Sequence, residues 1–519
     1  MIKKLSILFL FLPVIVCGQY FPQPQTVTNG TPYCFRGGMS DKIQELPHDP
    51  GFFRVSEYGV RGDSATDDTD SITAVIALAS AYYTSTGKKT TIYFKDGDYL
   101  TTSLNFIVPE VNLRGRSKNV TNIINAGTFY NASEVCNSSR IAFWGFQLSD
   151  QRLAGKNIKF ESCKFMVPDR YAGASDYFHI WGLYQKANKA IYSKCDFWCD
   201  SIYMELYTYN RGIDTLLVDN CTFTGNWSWH PVRVDKADYF DISYNTVSGG
   251  VTGILLGSTR ENILQGGKIT HNNVYGASEE LVSMDGFGNE TGRCPVICQG
   301  PVTSATNDGN GRIIVTNTFS LRQGVHPNDT TAPTDISDRA DWTTFYYSFV
   351  DSTLAGRYYK IYAFDTTHNT LTIDTIAPSS IIPIGCTATV DAGFFDIEIA
   401  YNTLHDSWGH DSTCATAISL WLNNFNVNVH HNTIYNCANG LNSAGGLMLS
   451  LYILKSWRAN IHDNTFTNCS GGYGINFNSF YTNAYKQYDN ILKDNVFTNS
   501  TVVINNQVRF TNTGNTITP

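Results

Sequence analysis

Charge is scarce in this chain: Asp, Glu, Lys and Arg make up only 16% of its 519 residues. That is too little for a bundle of helices, whose outer faces are normally charged. The net charge is only −8, so neither nucleic acid nor an anionic membrane surface is an expected partner. Beyond the first twenty residues no stretch approaches the length of apolar chain needed to cross a bilayer as a helix, so no membrane insertion is expected. What is abundant instead is Asn, Thr, Ser, Gly and Tyr, with 42 Gly and 30 Tyr. Residues of that kind make strands and tight turns, and the expected class is all-β.

The chain starts with Lys3-Lys4, an apolar run from Leu5 to Val16, and then Cys17-Gly18. This is the order of a cleavable signal peptide, residues 1–18, and predicts a secreted protein, extracellular or periplasmic. A lipid anchor on Cys17 is the alternative, against which Val16 occupies a position where a small residue is wanted. Of 13 cysteines, 12 remain once Cys17 is removed, an even number compatible with disulfide bonds in an oxidising compartment. Cys163, Cys195 and Cys221 each stand two residues before a Phe, which equally suits small buried residues recurring at one structural position. The close pairs Cys195/Cys199 and Cys294/Cys298 lack nearby His in ligand spacing, and no metal is assigned to them.

One pattern recurs along the chain: a short apolar alternation that ends in Asn, seen at Asn220, Asn245, Asn272, Asn402, Asn432, Asn464 and Asn495. The successive spacings are 25, 27, 130, 30, 32 and 31 residues. Apart from the long gap, each equals one coil of a parallel β-helix, in which stacked Asn side chains can hydrogen-bond along a ladder. The gap carries short alternating strands without the Asn signature, as in Tyr358-Tyr359-Lys360-Ile361-Tyr362. Residues 293–394 are therefore expected to form an inserted β subdomain, overhanging the stack as a wall for substrate. The helix itself is expected over 19–292 and 395–519.

Near the start, Phe53-Arg54-Val55-Ser56-Glu57-Tyr58-Gly59, then Thr66-Asp67-Asp68-Thr69-Asp70-Ser71-Ile72, then Thr91-Ile92-Tyr93-Phe94 reads as strand, capped helix, strand. Over residues 53–125 this resembles the N-terminal module of the pectate lyase superfamily, right-handed β-helix proteins that include glycosidases, polysaccharide lyases, alginate epimerases and tailspike depolymerases. The resemblance implies a single-stranded right-handed parallel β-helix whose open end is covered by the helix, with Asp67 and Asp68 structural. It also implies action on a polysaccharide.

Three successive coils before the insertion gather the candidate chemistry. Lys236 and Arg260 are 24 residues apart, close to one coil, and a Lys with an Arg suits β-elimination on a uronic acid. The cation neutralises the carboxylate and acidifies the C5 proton, which the other group removes; chondroitinase B and similar alginate lyases use such an arrangement. Asp235, Glu280 and Asp285 lie on the same run and could instead serve as the paired carboxylates of a glycoside hydrolase. The remaining catalytic candidate is His230, as a general base. Arg233, Trp227, Trp229, Trp408, His405 and His410 are candidates for holding the sugar, the indoles by stacking on pyranose faces. Neither the Gly-His-Gly and Asp pairs of polygalacturonases nor the Asp-Pro-His motif of alginate epimerases is present. A bridging Ca²⁺ is compatible with a lyase, but no ligand set for it stands out. The primary expectation is a secreted lyase of an alginate, pectin or glycosaminoglycan type of polymer. The alternatives are a hydrolase of the same fold and a noncatalytic carbohydrate-binding or adhesin β-helix.

Overall fold

A computed structural model describes residues 50–519 except 103–109, 126–134, 145–156, 168–178, 183–186, 200–205, 211–212, 228–229, 236, 258–262, 286–295, 319–342, 344, 351, 375, 377–381, 392, 408–415, 421–422, 443–455, 470–472, 478–486 and 505–506. The signal-peptide expectation, residues 1–18, falls outside the described residues. From Gly51 to Pro519 the chain forms one compact unit.

Three parallel sheets wind around a common core. Among the described residues sheet 1 has 14 strands, from Phe52–Arg54 to Thr511–Thr513; sheet 2 has 14, from Asp63–Asp67 to Thr516–Thr518; sheet 3 has nine, from His179–Gly182 to Thr501–Ile504. Successive coils contribute one strand each to sheets 1 and 2, and those between His179 and Ile504 one to sheet 3 as well, which is the parallel β-helix expected from the repeat. Most inward strand positions are aliphatic or aromatic. Ile242, Ile269, Ile399, Val429, Ile461 and Leu492, for example, stack in one register row with essentially no exposure. Such a stack buries its apolar surface only against neighbouring coils, so its ends need covers. The helix Thr69–Thr86 supplies one, burying Ile72, Val75, Ile76 and Ala79 in the core of the first coils. Asp68 at its start accepts hydrogen bonds from the Arg61 and Gly62 amides at 2.8 and 2.9 Å, and Asp67 binds Thr69, so both acidic residues are structural.

The Asn ladder is continuous. Each side-chain Nδ2 donates to the Oδ1 of the next Asn, from Asn245 through Asn272, Asn402, Asn432, Asn464 and Asn495 to Asn515, at 2.9–3.0 Å. The gap of 130 residues is bridged without a break in register. Asn220 is not a member, because the register places it one residue early. It occupies the left-handed corner with φ 52°, as do Tyr244, His271, Tyr401, His431, Asp463 and Asp494 in later coils. The ladder position in that coil belongs to Cys221, whose amide donates to Asn245 Oδ1 at 2.8 Å. Cys195 and Cys163 precede it in the same row. Of the two readings the sequence left open, repeated small buried residues describes these three. They are thiols outside any disulfide, as are Cys199, Cys386, Cys437 and Cys469 among the described residues.

The insertion is a closed antiparallel barrel of six strands, running from Val296–Asn307 to Thr387–Asp391, with its own core of Ile313, Val315, Tyr347, Ile361, Leu371 and Val390. It departs after the sheet 3 strand Glu280–Asp285 and rejoins the coil at Gly393–Phe395. Two tyrosines fix it to the stack. Tyr346 donates to Gln265 Oε1 and Tyr358 to Asp396 Oδ1, both at 2.7 Å, and their rings pack against Phe395 and Phe425.

Candidate active site

The strand Val232–Val234 shows how the site is positioned. Val232 and Val234 point into the core, so Arg233 must point outward from sheet 3. Two residues further on, Asp235 returns to the same side. Its carboxylate takes both arms of the guanidinium, Nε to Oδ1 and Nη2 to Oδ2, each at 2.9 Å. This fork-to-fork pair fixes the plane of Arg233. Both residues are nearly free of solvent, at 8% and 1% exposure, so the charge acts through a medium that screens it less than water does.

Glycine makes room for this arrangement. A Cβ on Gly257 would lie 2.2 Å from Asp235 Oδ1, so the carboxylate leans over the neighbouring strand where no side chain stands. Gly257 in turn pairs with Asp285 on the strand beyond. Asp235 and Asp285 thus flank a bare glycine, on strands two steps apart, a backbone separation of about 9–10 Å.

The rest of the outward row is buried, and two of its members are serines. Arg233 pairs in register with Leu255, Leu255 with Ser283, and Ser283 with Ser419. Ser283 and Ser419 are 1% and 0% exposed, and neither hydroxyl has a hydrogen-bond partner among the described residues. Two buried hydroxyls without partners among the described residues, in adjacent coils, cost stability. At its edge, Glu280 accepts from Thr252 Oγ1 at 2.9 Å. His230 is buried, and burial together with the charge of Arg233 holds its imidazole neutral, with a pKa of about 3. So weak a base does not suit abstraction of a C5 proton.

Of the residues expected from sequence, Arg233 and Glu280 lie on strands of sheet 3, with the backbone of Asp285, while His230 precedes and Asp235 follows the strand of Arg233. Lys236, Arg260, Trp229, Trp408 and His410 lie outside the described residues, as does the side chain of Asp285. The coil spacing between the two strands concerned is 22 residues, Val232 pairing with Ile254, which is shorter than the 24 residues that separate Lys236 from Arg260. Trp227 is not a sugar platform: it is 7% exposed and packs in the core beside Phe223, with ring centroids 6.2 Å apart. His405 lies on sheet 2, sandwiched between Tyr275 and Tyr435 at 5.0 and 4.7 Å, with Nδ1 on Asp406 at 2.7 Å. Both its ring faces are covered, so it cannot stack on a sugar. Sequence reasoning passed over Gly257, Ser283 and Ser419. Their signal was a polar residue at the same phase of an apolar strand, as in Val282-Ser283-Met284 and Ile418-Ser419-Leu420.

Residues 52–278 match the family model described as rhamnogalacturonase A/epimerase, pectate lyase-like. Similar solved structures include the Agl-KA catalytic domain, at 11% identity over 91% of this chain and 69% of that one, with a TM-score of 0.47. Another is the A-module of mannuronan C-5 epimerase AlgE4 from Azotobacter vinelandii, at 11% identity over 90% of this chain and 100% of that one, with a TM-score of 0.31. A third is PfbA, a surface adhesin of Streptococcus pneumoniae, at 12% identity over 89% and 92%, with a TM-score of 0.42. No curated protein sequence matches. Among the described residues no helix is long and apolar enough to cross a membrane.

Proposed function

We propose that this chain, a right-handed β-helix protein of the pectate-lyase-like kind through its residues 52–278, is a secreted depolymerase of uronate-bearing polysaccharides. The observation that carries the reading is the shielded Arg233, oriented by Asp235 on the outside of sheet 3. A planar guanidinium held in this way suits the carboxylate of a uronic acid.

The chemistry we assign is β-elimination. Arg233 neutralises the uronate carboxylate, which lowers the barrier to removing the proton at C5. Lys236, next to Asp235 in the chain, takes that proton, with Arg260 as the second cation. The C4–O bond then breaks as a C4–C5 double bond forms, and Lys236, now protonated, returns its proton to the departing oxygen. Asp235 serves here as a positioning residue, since both of its oxygens are engaged by Arg233. A second reading, hydrolysis, is favoured by the row Asp235–Gly257–Asp285. Its spacing approaches the range in which an acid and a base flank a glycosidic bond with room for water.

The test follows two signals at once on alginate, pectin, glycosaminoglycan and neutral glycans. Ultraviolet absorbance of unsaturated uronate rising in step with reducing ends supports elimination, and Lys236→Ala should then abolish both. Reducing ends without absorbance would overturn elimination in favour of hydrolysis, with Asp285→Asn as the inactivating change. No release from any polymer by a folded protein would leave the adhesin reading in place of both.

A further inference from the structure

Far from sheet 3 along the coil, the outward side of sheet 1 carries a second constellation, which the proposed chemistry does not use. His430 and His462 are register partners on the strands Asn428–His430 and Asn460–His462, their rings stacked at 4.9 Å. Each is followed by a left-handed corner residue, His431 and Asp463. One ligating atom from each of His431, His462 and Asp463 lies within 4.8 Å of the others. We infer that these three residues form a binding site for a divalent transition-metal ion of the Zn²⁺ class, clamping two successive coils together.

The hydrogen bonds around the cluster support this beyond proximity. A ligating imidazole presents one nitrogen lone pair, while its other nitrogen is fixed as a donor by an outer partner. At His462 the outer partner is Asn428, whose Oδ1 lies 3.2 Å from Nε2 and is itself held by Asn460 at 3.0 Å. Nδ1 is left facing Asp463 Oδ2 at 2.7 Å, and a metal ion can replace the proton that these two atoms share. At His431 the outer partner is His430. His430 Nε2 donates to Glu398 Oε1 at 3.1 Å, which leaves its Nδ1 as an acceptor for His431 Nδ1 at 2.9 Å. That chain makes His431 Nδ1 a donor and leaves the lone pair on its Nε2. Two imidazole nitrogens and a carboxylate oxygen make a mixed N/O donor set, and with solvent in a fourth place it suits a tetrahedral ion at bond lengths of about 2.0–2.2 Å. The set is too poor in oxygen for Ca²⁺ or Mg²⁺. His431 and Asp463 are exposed and His462 half-buried, so an ion has access without opening the fold.

Co²⁺ added to the chelator-treated, full-length protein is the test, because a tetrahedral N/O site gives an intense visible ligand-field spectrum. One equivalent should bind, Zn²⁺ should displace it, and the melting temperature should rise with Zn²⁺ by mass action. His462→Ala should abolish the spectrum. Asp463→Asn, which keeps shape, should abolish or greatly weaken it, and Asn428→Ala should weaken affinity about tenfold through the lost outer partner. His271→Ala, at the same corner of an earlier coil, should leave binding unchanged. The inference is overturned if folded His462→Ala and Asp463→Asn bind as the parent does. It is equally overturned if the spectrum is octahedral and weak, or if it carries the near-ultraviolet band of thiolate ligation.

Discussion

The coils of Cys163, Cys195 and Cys221 and the coils from Asn245 onward solve one problem in two ways. At the same inward corner the earlier coils place a thiol and the later ones an amide. Beside the thiols runs a stack of phenylalanines, Phe143, Phe165, Phe197 and Phe223, with centroids 5.7, 4.8 and 4.5 Å apart. Beside the first amides the same row is aliphatic: Val247, Val274, Leu404 and Ile434. On top of the backbone ladders that all coils share, the earlier coils add ring packing beside this corner, and the coils from Asn245 onward add side-chain hydrogen bonds that fix register one coil at a time, with rings returning to the row only at Phe466 and Phe497. The candidate site begins where the first arrangement gives way to the second, at the coil of Arg233.

The comparison can be broken most severely at Asn432. Its Nδ2 donates to Ile399 O and Asn464 Oδ1, and its Oδ1 accepts from the amide and side chain of Asn402. Asn432→Leu strands all of these groups in the core, and a loss of about 4 kcal/mol is expected in denaturant unfolding. Asn245→Cys, which extends the thiol row by one coil, should cost less, about 2 kcal/mol, because Val218 O and Asn272 Oδ1 lose a donor.

Alkali sharpens the contrast by acting on the thiols. Burial pushes Cys163 and Cys221 up, Cys437 to about 12 and Cys469 to about 11. A thiol whose folded pKa exceeds its unfolded value stabilises fully below the unfolded value and loses that contribution as pH rises through the folded one. Stability should accordingly fall from about pH 9 towards pH 12, and hydrogen exchange should locate the first losses in coils that contain thiols. His230 works in the opposite sense. Its folded pKa of about 3 lies below its ordinary value of 6.5, so the unfolded chain takes up the proton first and stability drops as pH falls from about 6.5 towards 3. His230→Gln should flatten that limb. The smallest effect is expected for Cys221→Asn, within about 1 kcal/mol of the parent, since the new amide meets Tyr192 O and Asn245 Oδ1 where the thiol now sits.

Much of the fold was legible because a coil repeats its chemistry at a fixed interval. The amide rows from Asn245 to Asn495 could be read from spacing, as could the strands of the insertion. What spacing could not give was phase to one residue. Asn220 resembles a ladder residue in its local sequence, and only the pairing of Asp219 with Ser243 and of Cys221 with Asn245 on the next coil shows that it sits at the left-handed corner. The candidate site was legible as a neighbourhood, and its residue types were largely right. Roles were harder, because the direction of a side chain decides them: Trp227 turns into the core, His405 lies between two tyrosine rings on another sheet, and Asp235 is committed to Arg233. The bare glycine and the unpaired serines left no mark in the sequence beyond one polar residue per strand, since burial on the outside of a sheet is a property of what lies across it.

The central claim, that Arg233 reads a carboxylate on the substrate, is tested most directly by comparing turnover on a uronate polymer with turnover on the same polymer after its carboxyls are reduced to alcohols. The account predicts a loss of about 100-fold or more on the reduced polymer, on the order of 3 kcal/mol of transition-state binding, and a similar loss for Arg233→Gln on the native one with no further loss when both changes are combined. Equal turnover of the native and reduced polymers, or losses that simply add, would contradict it.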